Sequence, residues 1–87
     1  MKLNIIKGAT ERIIMAVSNE NSYTAKISRF IGATHGHVVK IIDLLEEENI
    51  VTKKKSGRIN LIELTERGKQ IQSHLKSIRS LLWAIKN

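Results

Sequence analysis

The side chains in this 87-residue chain that could perform chemistry fall into two small groups, one of histidines and one of cations. His35 and His37 flank Gly36. On a helix, side chains two positions apart point roughly 200° away from each other, so this pair chelates a metal poorly. The sequence has no cysteine, and no carboxylate lies near the two histidines to complete a tetrahedral site. We therefore predict no metal site and no cofactor.

Residue patterns typical of enzymes are missing from the sequence. It has no glycine-rich phosphate loop and no Ser-His-Asp order in a strand-turn-helix context. Glu46, Glu47 and Glu48 are consecutive on a predicted helix, so their carboxylates diverge and cannot act as a catalytic pair. We therefore expect a protein without enzymatic activity.

The cations cluster in one short segment, where Lys53, Lys54, Lys55 and Arg58 lie around a glycine. The whole chain has 15 Lys and Arg against 8 Asp and Glu, which gives a formal net charge of +7. A basic domain with clustered cations attracts polyanions, and this favours a nucleic-acid-binding surface. The alternative is an edge strand that its lysines protect against aggregation.

Length and composition predict one globular domain over residues 1–87, because 41% hydrophobic and 26% charged residues are ordinary values. So short a chain buries a modest share of its surface, and a partner subunit would add stability. The longest uncharged stretch, residues 30–39, is too short to cross a membrane. The first residues lack the apolar core of a signal peptide, so a cytoplasmic location is expected.

Hydrophobic periodicity and capping residues divide the chain into four helices and a hairpin. Helices are predicted over residues 9–19, 24–31, 34–48 and 65–86, and strands over residues 50–55 and 59–64. Thr24, Thr34 and Thr65 can cap the last three helices through their hydroxyl groups. Gly32 and Asn49 can end the second and third helices in the left-handed conformation.

Two boundaries depend on small local signals. Ser56 and Gly57 predict the turn of the hairpin, which must pack on the helices because a short hairpin is unstable alone. The first helix can begin at Gly8 or Thr10, and whether residues 1–8 join it or a dimer interface stays open.

The order of elements predicts the fold. Three helices, a two-stranded hairpin and a further helix form a winged helix-turn-helix, a mainly α fold with a small β-hairpin wing. Here the fold ends in a long C-terminal dimerisation helix. In such a fold the second helix of the pair enters the DNA major groove. The pair here is 24–31 and 34–48.

Two segments resemble a known family. Residues 27–51 (ISRFIGATHGHVVKIIDLLEEENIV) resemble the helix-turn-helix of winged-helix transcription regulators, and residues 56–69 (SGRINLIELTERGK) resemble the wing and exit of MarR-type regulators. The family has an Asp-x-Arg wing, then Leu-Thr after five residues and Gly three residues on. The matching residues are Arg58, Leu64, Thr65 and Gly68. Ser56 stands where the family has Asp. The resemblance covers residues 22–69 and implies sequence-specific binding of double-stranded DNA by a transcription regulator.

The resemblance and the charges together predict a DNA-binding surface. The recognition helix 34–48 presents its first turns to base edges, while the basic wing 52–58 contacts the backbone or the minor groove. Lys40 can reach guanine acceptors, and Val39 can contact a thymine methyl group. The predicted contact residues are Ser22, Tyr23, Thr24, Thr34, His35, Gly36, His37, Val39, Lys40, Lys53, Lys54, Lys55 and Arg58.

The C-terminal helix predicts a homodimer. Its apolar residues recur at spacings of 4, 3, 4 and 3, which is a heptad-type seam. We expect the first turns to pack inward and the later ones to meet a second subunit. The predicted interface residues are Ile71, Leu75, Ile78, Leu81, Leu82, Trp83 and Ile85. A two-fold dimer would place two recognition helices about 34 Å apart and favour a palindromic site.

Two other functions stay open. An architectural DNA-binding protein would show a low ratio of specific to non-specific affinity. A winged-helix protein-interaction module would not bind DNA and would expose an apolar patch that includes Val39 and Leu44. The chain is short for the MarR type and has little length to frame a ligand pocket, so no small-molecule effector is predicted.

Overall fold

Four helices and one antiparallel hairpin form the described part of the computed structural model, which covers residues 8–18 and 22–86. The elements are α1 (Gly8–Ala16), α2 (Thr24–Ile31), α3 (His35–Glu47), β1 (Val51–Ser56), β2 (Ile59–Leu64) and α4 (Glu66–Lys86). The predicted mainly helical fold with a hairpin and a long C-terminal helix is confirmed. Within the described ranges, no helix combines the length and apolar character that a membrane crossing needs.

The ends of α1 differ in part from the prediction. The helix begins at Gly8, one of the two predicted starts, but it ends at Ala16 instead of residue 19. The amide of Gln72 on α4 donates to the carbonyl oxygens of Ile14 and Val17, both at 2.8 Å, so these carbonyls need no further helical turn. Residues 1–7 and 19 lie outside the described residues, and so do the predictions made for them.

The predicted cap of α2 is wrong. Thr24 is the first helical residue, and Tyr23 occupies the cap position in an extended conformation without a side-chain cap bond. Tyr23 is extended because it forms a β-bridge with Leu61, and the neighbouring Ile62 amide donates to the carbonyl of Ser22 at 2.7 Å. Pairing with the hairpin therefore decides where α2 begins.

The hairpin turn lies one residue later than predicted. Ser56 still pairs with Ile59, so the two loop residues are Gly57 and Arg58. Gly57 has a φ of 62°, which a two-residue hairpin turn with glycine at its first position requires. Arg58 consequently lies at the tip of the hairpin.

Other predicted caps are confirmed. The side-chain oxygen of Thr34 accepts from the amide of His37 at 3.3 Å and caps α3. Gly32 after α2 has a φ of 70°, and Asn49 after α3 has a φ of 61°. These left-handed residues turn the chain sharply and set the directions of α3 and β1.

One hydrophobic core joins the helices to the base of the hairpin. Its side chains come from α1, α2 and α3, from the residues just after α1 and just before β1, and from the start of β1, the middle of β2 and one position of α4. The buried apolar residues are Ile13, Ile14, Val17, Ile27, Ile31, Val38, Ile41, Ile42, Leu45, Ile50, Val51, Ile62 and Leu75. The distal part of the hairpin contributes nothing to this core, so it projects as a basic arm.

A hydrogen-bonded junction joins the end of α3 to the start of α4. The Thr65 amide donates to the carbonyl of Ile50 at 3.0 Å, and its hydroxyl donates to the carbonyl of Asn49 at 2.7 Å. The same hydroxyl accepts from the Gly68 amide at 3.0 Å, which confirms Thr65 as the cap of α4. The Leu-Thr and Gly spacing thus has a structural reason, since it holds α4 against the chain that leaves α3.

Gln72→Met is expected to lower the free energy of unfolding by about 1–2 kcal/mol, because it removes two hydrogen bonds to part-buried carbonyls at the end of α1. The matched control is Gln70→Met on the same helix, where the side chain is exposed. Urea denaturation of both variants measures the effect. Equal stability of the two variants would show that Gln72 does not anchor α4 on α1.

Candidate nucleic-acid interface

A cleft between α2, α3 and the hairpin brings together five of the predicted DNA-binding residues. Its walls are Tyr23, Thr24, Ala25, His35, Val39, Arg58, Ile59 and Asn60. The cleft exists because the segment before α2 pairs with β2 while the hairpin runs along one flank of α3. The start of one helix, the first turns of the next and an arginine at the hairpin tip therefore share one surface.

The first turns of α3 are open to a ligand. The core face of the helix carries the buried apolar stripe, while His35, Gly36, His37 and Lys40 are exposed on other sides and Val39 is half-buried. A Cβ placed on Gly36 would meet no atom within 4 Å, so a partner can approach the backbone closely there. This is the geometry that a recognition helix needs.

Three cations of the basic wing point to solvent. Lys54, Lys55 and Arg58 are exposed and have no ion-pair partner among the described residues. Strand alternation places Lys54 on the opposite face of β1 from its two lysine neighbours. The free charges consequently lie around the arm instead of along one row.

Lys53 is placed differently from the other three cations. Its ammonium nitrogen lies 2.5 Å from a carboxylate oxygen of Asp43 and 3.5 Å from one of Glu46, both on α3. Neither partner was predicted from the sequence. The available signal was strand alternation, because Val51 is apolar and Lys53 shares its face toward α3.

This ion pair raises the pKa of Lys53 above its ordinary value of 10.5, chiefly through the hydrogen bond with Asp43. Burial opposes the rise, and the charges of Asp43 and Glu46 add to it. A raised lysine pKa stabilises the fold below the unfolded-state pKa, and the stabilisation is lost as pH rises through the folded-state value. The ammonium group of Lys53 is therefore protonated at neutral pH, and the stability that its raised pKa contributes is lost only in strongly alkaline solution.

Three predicted contact residues use their hydroxyl groups within the chain. Ser22 is only 4% exposed, and its hydroxyl oxygen accepts from the Ser18 amide at 2.8 Å, so it is not offered to a ligand. Thr34 is exposed but uses its hydroxyl oxygen to cap α3. The hydroxyl of Tyr23 accepts from the Arg29 guanidinium at 3.5 Å, which places beside the cleft a cation that was not among the predicted contact residues.

The predicted dimer residues separate into two groups. Leu75 is 5% exposed in the core, and Ile71 packs against that core, so both serve the fold of their own chain. The C-terminal half of α4 instead exposes its large apolar side chains, with exposed fractions from 49% to 81%. They are Ile78, Leu81, Leu82, Trp83 and Ile85.

Comparisons with known proteins support the fold. No family model matches the sequence, and no curated protein is significantly similar to it. Among solved structures, AF1382 from Archaeoglobus fulgidus is 28% identical, with 82% of this chain and 84% of that chain covered and a TM-score of 0.78.

Two further similar structures belong to MarR-family regulators. The adhesin competence repressor AdcR from Streptococcus pyogenes is 21% identical, with 93% of this chain and 61% of that chain covered and a TM-score of 0.84. The zinc-responsive MarR family member ZitR from Lactococcus lactis is 20% identical, with 99% of this chain and 62% of that chain covered and a TM-score of 0.76. This chain spans about three fifths of their length. It has the winged-helix fold that MarR-family transcription regulators share.

Proposed function

We propose that the chain binds double-stranded DNA in a sequence-specific manner and regulates transcription. The observation that carries this proposal is the cleft in which Tyr23 and Thr24, the first turns of α3 and Arg58 converge. Exposed cations flank the cleft on the wing and on α3, and the chain carries a net charge of +7. The proposal includes no enzymatic activity.

Each wall of the cleft has a role on DNA. The start of α2 offers backbone amides to a phosphate, because the first amides of a helix lack partners within it. The first turns of α3 enter the major groove, where Lys40 reads guanine acceptors and Val39 meets a thymine methyl group. Lys54 and Lys55 contact the backbone, and Arg58 reaches into the adjacent minor groove.

The proposed protein is a homodimer joined through the C-terminal half of α4. Five large apolar side chains are exposed there, and such a surface is typical of an interaction site. A two-fold dimer joined through this helix would place two α3 helices about one DNA turn, or about 34 Å, apart. The binding site would then be an inverted repeat.

Zinc responsiveness belongs to AdcR and ZitR and is not part of the proposal. Among residues 8–18 and 22–86 there is no group of three or more His, Cys, Asp or Glu side chains that could hold a metal ion. The proposal also includes no small-molecule effector.

Selection from a randomised duplex DNA library, at low and at near-physiological salt, tests the proposal. We expect enrichment of an inverted repeat with half-sites about one turn apart. Binding without enrichment would replace the proposal with an architectural role of low specificity. No binding at either salt would overturn DNA binding and favour a protein-interaction module.

Leu82→Glu is expected to weaken the dimer by about 100-fold or more, because a two-fold interface would bury two copies of the new charge. Sedimentation equilibrium over a range of concentrations measures the effect. Ser73→Glu, at an exposed polar position of the same helix, is the control that adds the same charge. A dimer of unchanged affinity in Leu82→Glu would place the interface elsewhere.

A further inference from the structure

Lys53 differs from the other cations of the basic wing because it forms an ion pair with the recognition helix α3. Lys53 retains 32% of its side-chain exposure and is bound by Asp43 and Glu46 from adjacent turns of α3. In the part of the chain that the structure describes, it is the one wing cation with an acidic partner.

This ion pair lies at a point of the hairpin from which it can hold the distal part against α3. Val51 and Ile62 are the last fully buried residues of the two strands, and Lys53 pairs with Ile62 in the register. Every residue of β1 after Val51 is exposed, and among the described residues Lys53 forms the one ion pair that ties the hairpin to α3. Beyond it, the pairing of the two strands and the bridge between Leu61 and Tyr23, on the side of α2, support the tip.

We infer that Lys53 is a positioning residue that holds the hairpin against α3, keeping Arg58 beside His35 and Val39, and that it does not contact phosphate. This inference rests on the proposed DNA binding for its consequence, but not for its geometry. Arg58 lines the same cleft as His35 and Val39. These two residues precede Asp43 on α3 by about two turns and one turn, respectively.

Charge balance also argues against a phosphate contact by Lys53. Its ammonium already lies between two carboxylates. If it moved to a phosphate, Asp43 and Glu46 would be left uncompensated beside a polyanion, which like-charge repulsion opposes. Lys54 has no such partner among the described residues and stays available for the backbone.

The test compares Lys53→Met with Lys54→Met, which removes the same charge from the next position of β1. Lys53→Arg is the conservative variant. Hydrogen exchange of the hairpin amides is measured in the free protein, and the salt dependence of affinity is measured on a random-sequence duplex.

We expect Lys53→Met to speed exchange of the distal hairpin amides and to weaken DNA binding, each by about five-fold, with an unchanged salt slope. Lys54→Met should leave exchange unchanged and reduce the salt slope by about one, as the loss of one phosphate contact does. Lys53→Arg should behave as the wild type in both measurements.

Two results would overturn the inference. One is unchanged amide exchange in Lys53→Met, whatever the DNA data show. The other is a salt slope that falls as far in Lys53→Met as in Lys54→Met, which would make Lys53 a phosphate contact. If the wild type binds no duplex while Lys53→Met still exchanges faster, the positioning role stands and the proposed DNA binding fails.

Discussion

Gly68→Ala is expected to lower the free energy of unfolding by about 2 kcal/mol or more and the melting temperature by roughly 10 °C. A Cβ on Gly68 would overlap the carbonyl oxygen of Ile50 and approach Leu64 to 3.1 Å. The Ile50 carbonyl cannot easily retreat, because it accepts the Thr65 amide at 3.0 Å. The free-energy cost of this overlap should exceed the stabilisation of up to about 1 kcal/mol that replacing glycine with alanine ordinarily brings to a helix.

Gly36→Ala is the matched control for that prediction. Gly36 also lies within a helix, but a Cβ there would meet no atom within 4 Å, so this variant should gain up to about 1 kcal/mol. Thermal unfolding of both variants is followed by circular dichroism at one fixed concentration, since dimerisation would make the midpoint depend on concentration. A Gly68→Ala protein with the same melting temperature as the wild type would disprove the close junction between α3 and α4.

The parts of the fold that depend on neighbours in sequence were predictable. In α3 the apolar spacing identified a stripe whose four members, Val38, Ile41, Ile42 and Leu45, are all buried. Gly32 and Asn49 were expected to be left-handed, and both have a positive φ. The helical period of 3.6 residues and the conformational freedom of a cap residue are local properties, so both can be recognised from a single sequence.

The misplaced residues are those whose positions depend on distant contacts. Thr24 has the right side chain for a cap, yet Tyr23, which pairs with the hairpin, takes the cap position and Thr24 becomes the first helical residue of α2. Ser22 carries a hydroxyl suited to phosphate but turns it toward Ser18. At such positions, residue propensity indicates which conformations and hydrogen bonds are favourable, but tertiary contacts determine which of them form.

The heptad-type seam of α4 shows a related limit. The apolar spacing indicates that Ile71, Leu75 and Ile78 lie on one face of α4, but it does not indicate which part of the protein covers each of them. Leu75 is covered by the core of its own chain, whereas Ile78 is half exposed. This difference between the two residues depends on how α4 packs against elements far away in the sequence, such as α1.

Replacing Lys54, Lys55 and Arg58 together with alanine is expected to reduce DNA affinity by about 100-fold at low salt and to lower the salt slope by nearly three. Each of these side chains is exposed and has no acidic partner among the described residues. Each can therefore bind a DNA phosphate and release the counterions condensed there. Stability should change by less than about 0.5 kcal/mol, because exposed substitutions away from caps and cores have small effects. Titration of a labelled duplex at several salt concentrations measures both quantities.

The control for that variant replaces Lys69, Lys76 and Arg79 on α4 with alanine, which removes the same three charges away from the cleft. Long-range attraction depends on net charge and is screened within about 10 Å at 0.1 M salt, so this control should bind only a few-fold more weakly. Equal losses in the two triple variants would mean that net charge alone drives binding. Wild-type affinity in the wing variant would remove the hairpin from the interface and leave α3 to bind alone. A large loss confined to the wing variant would instead show that the hairpin contacts DNA directly.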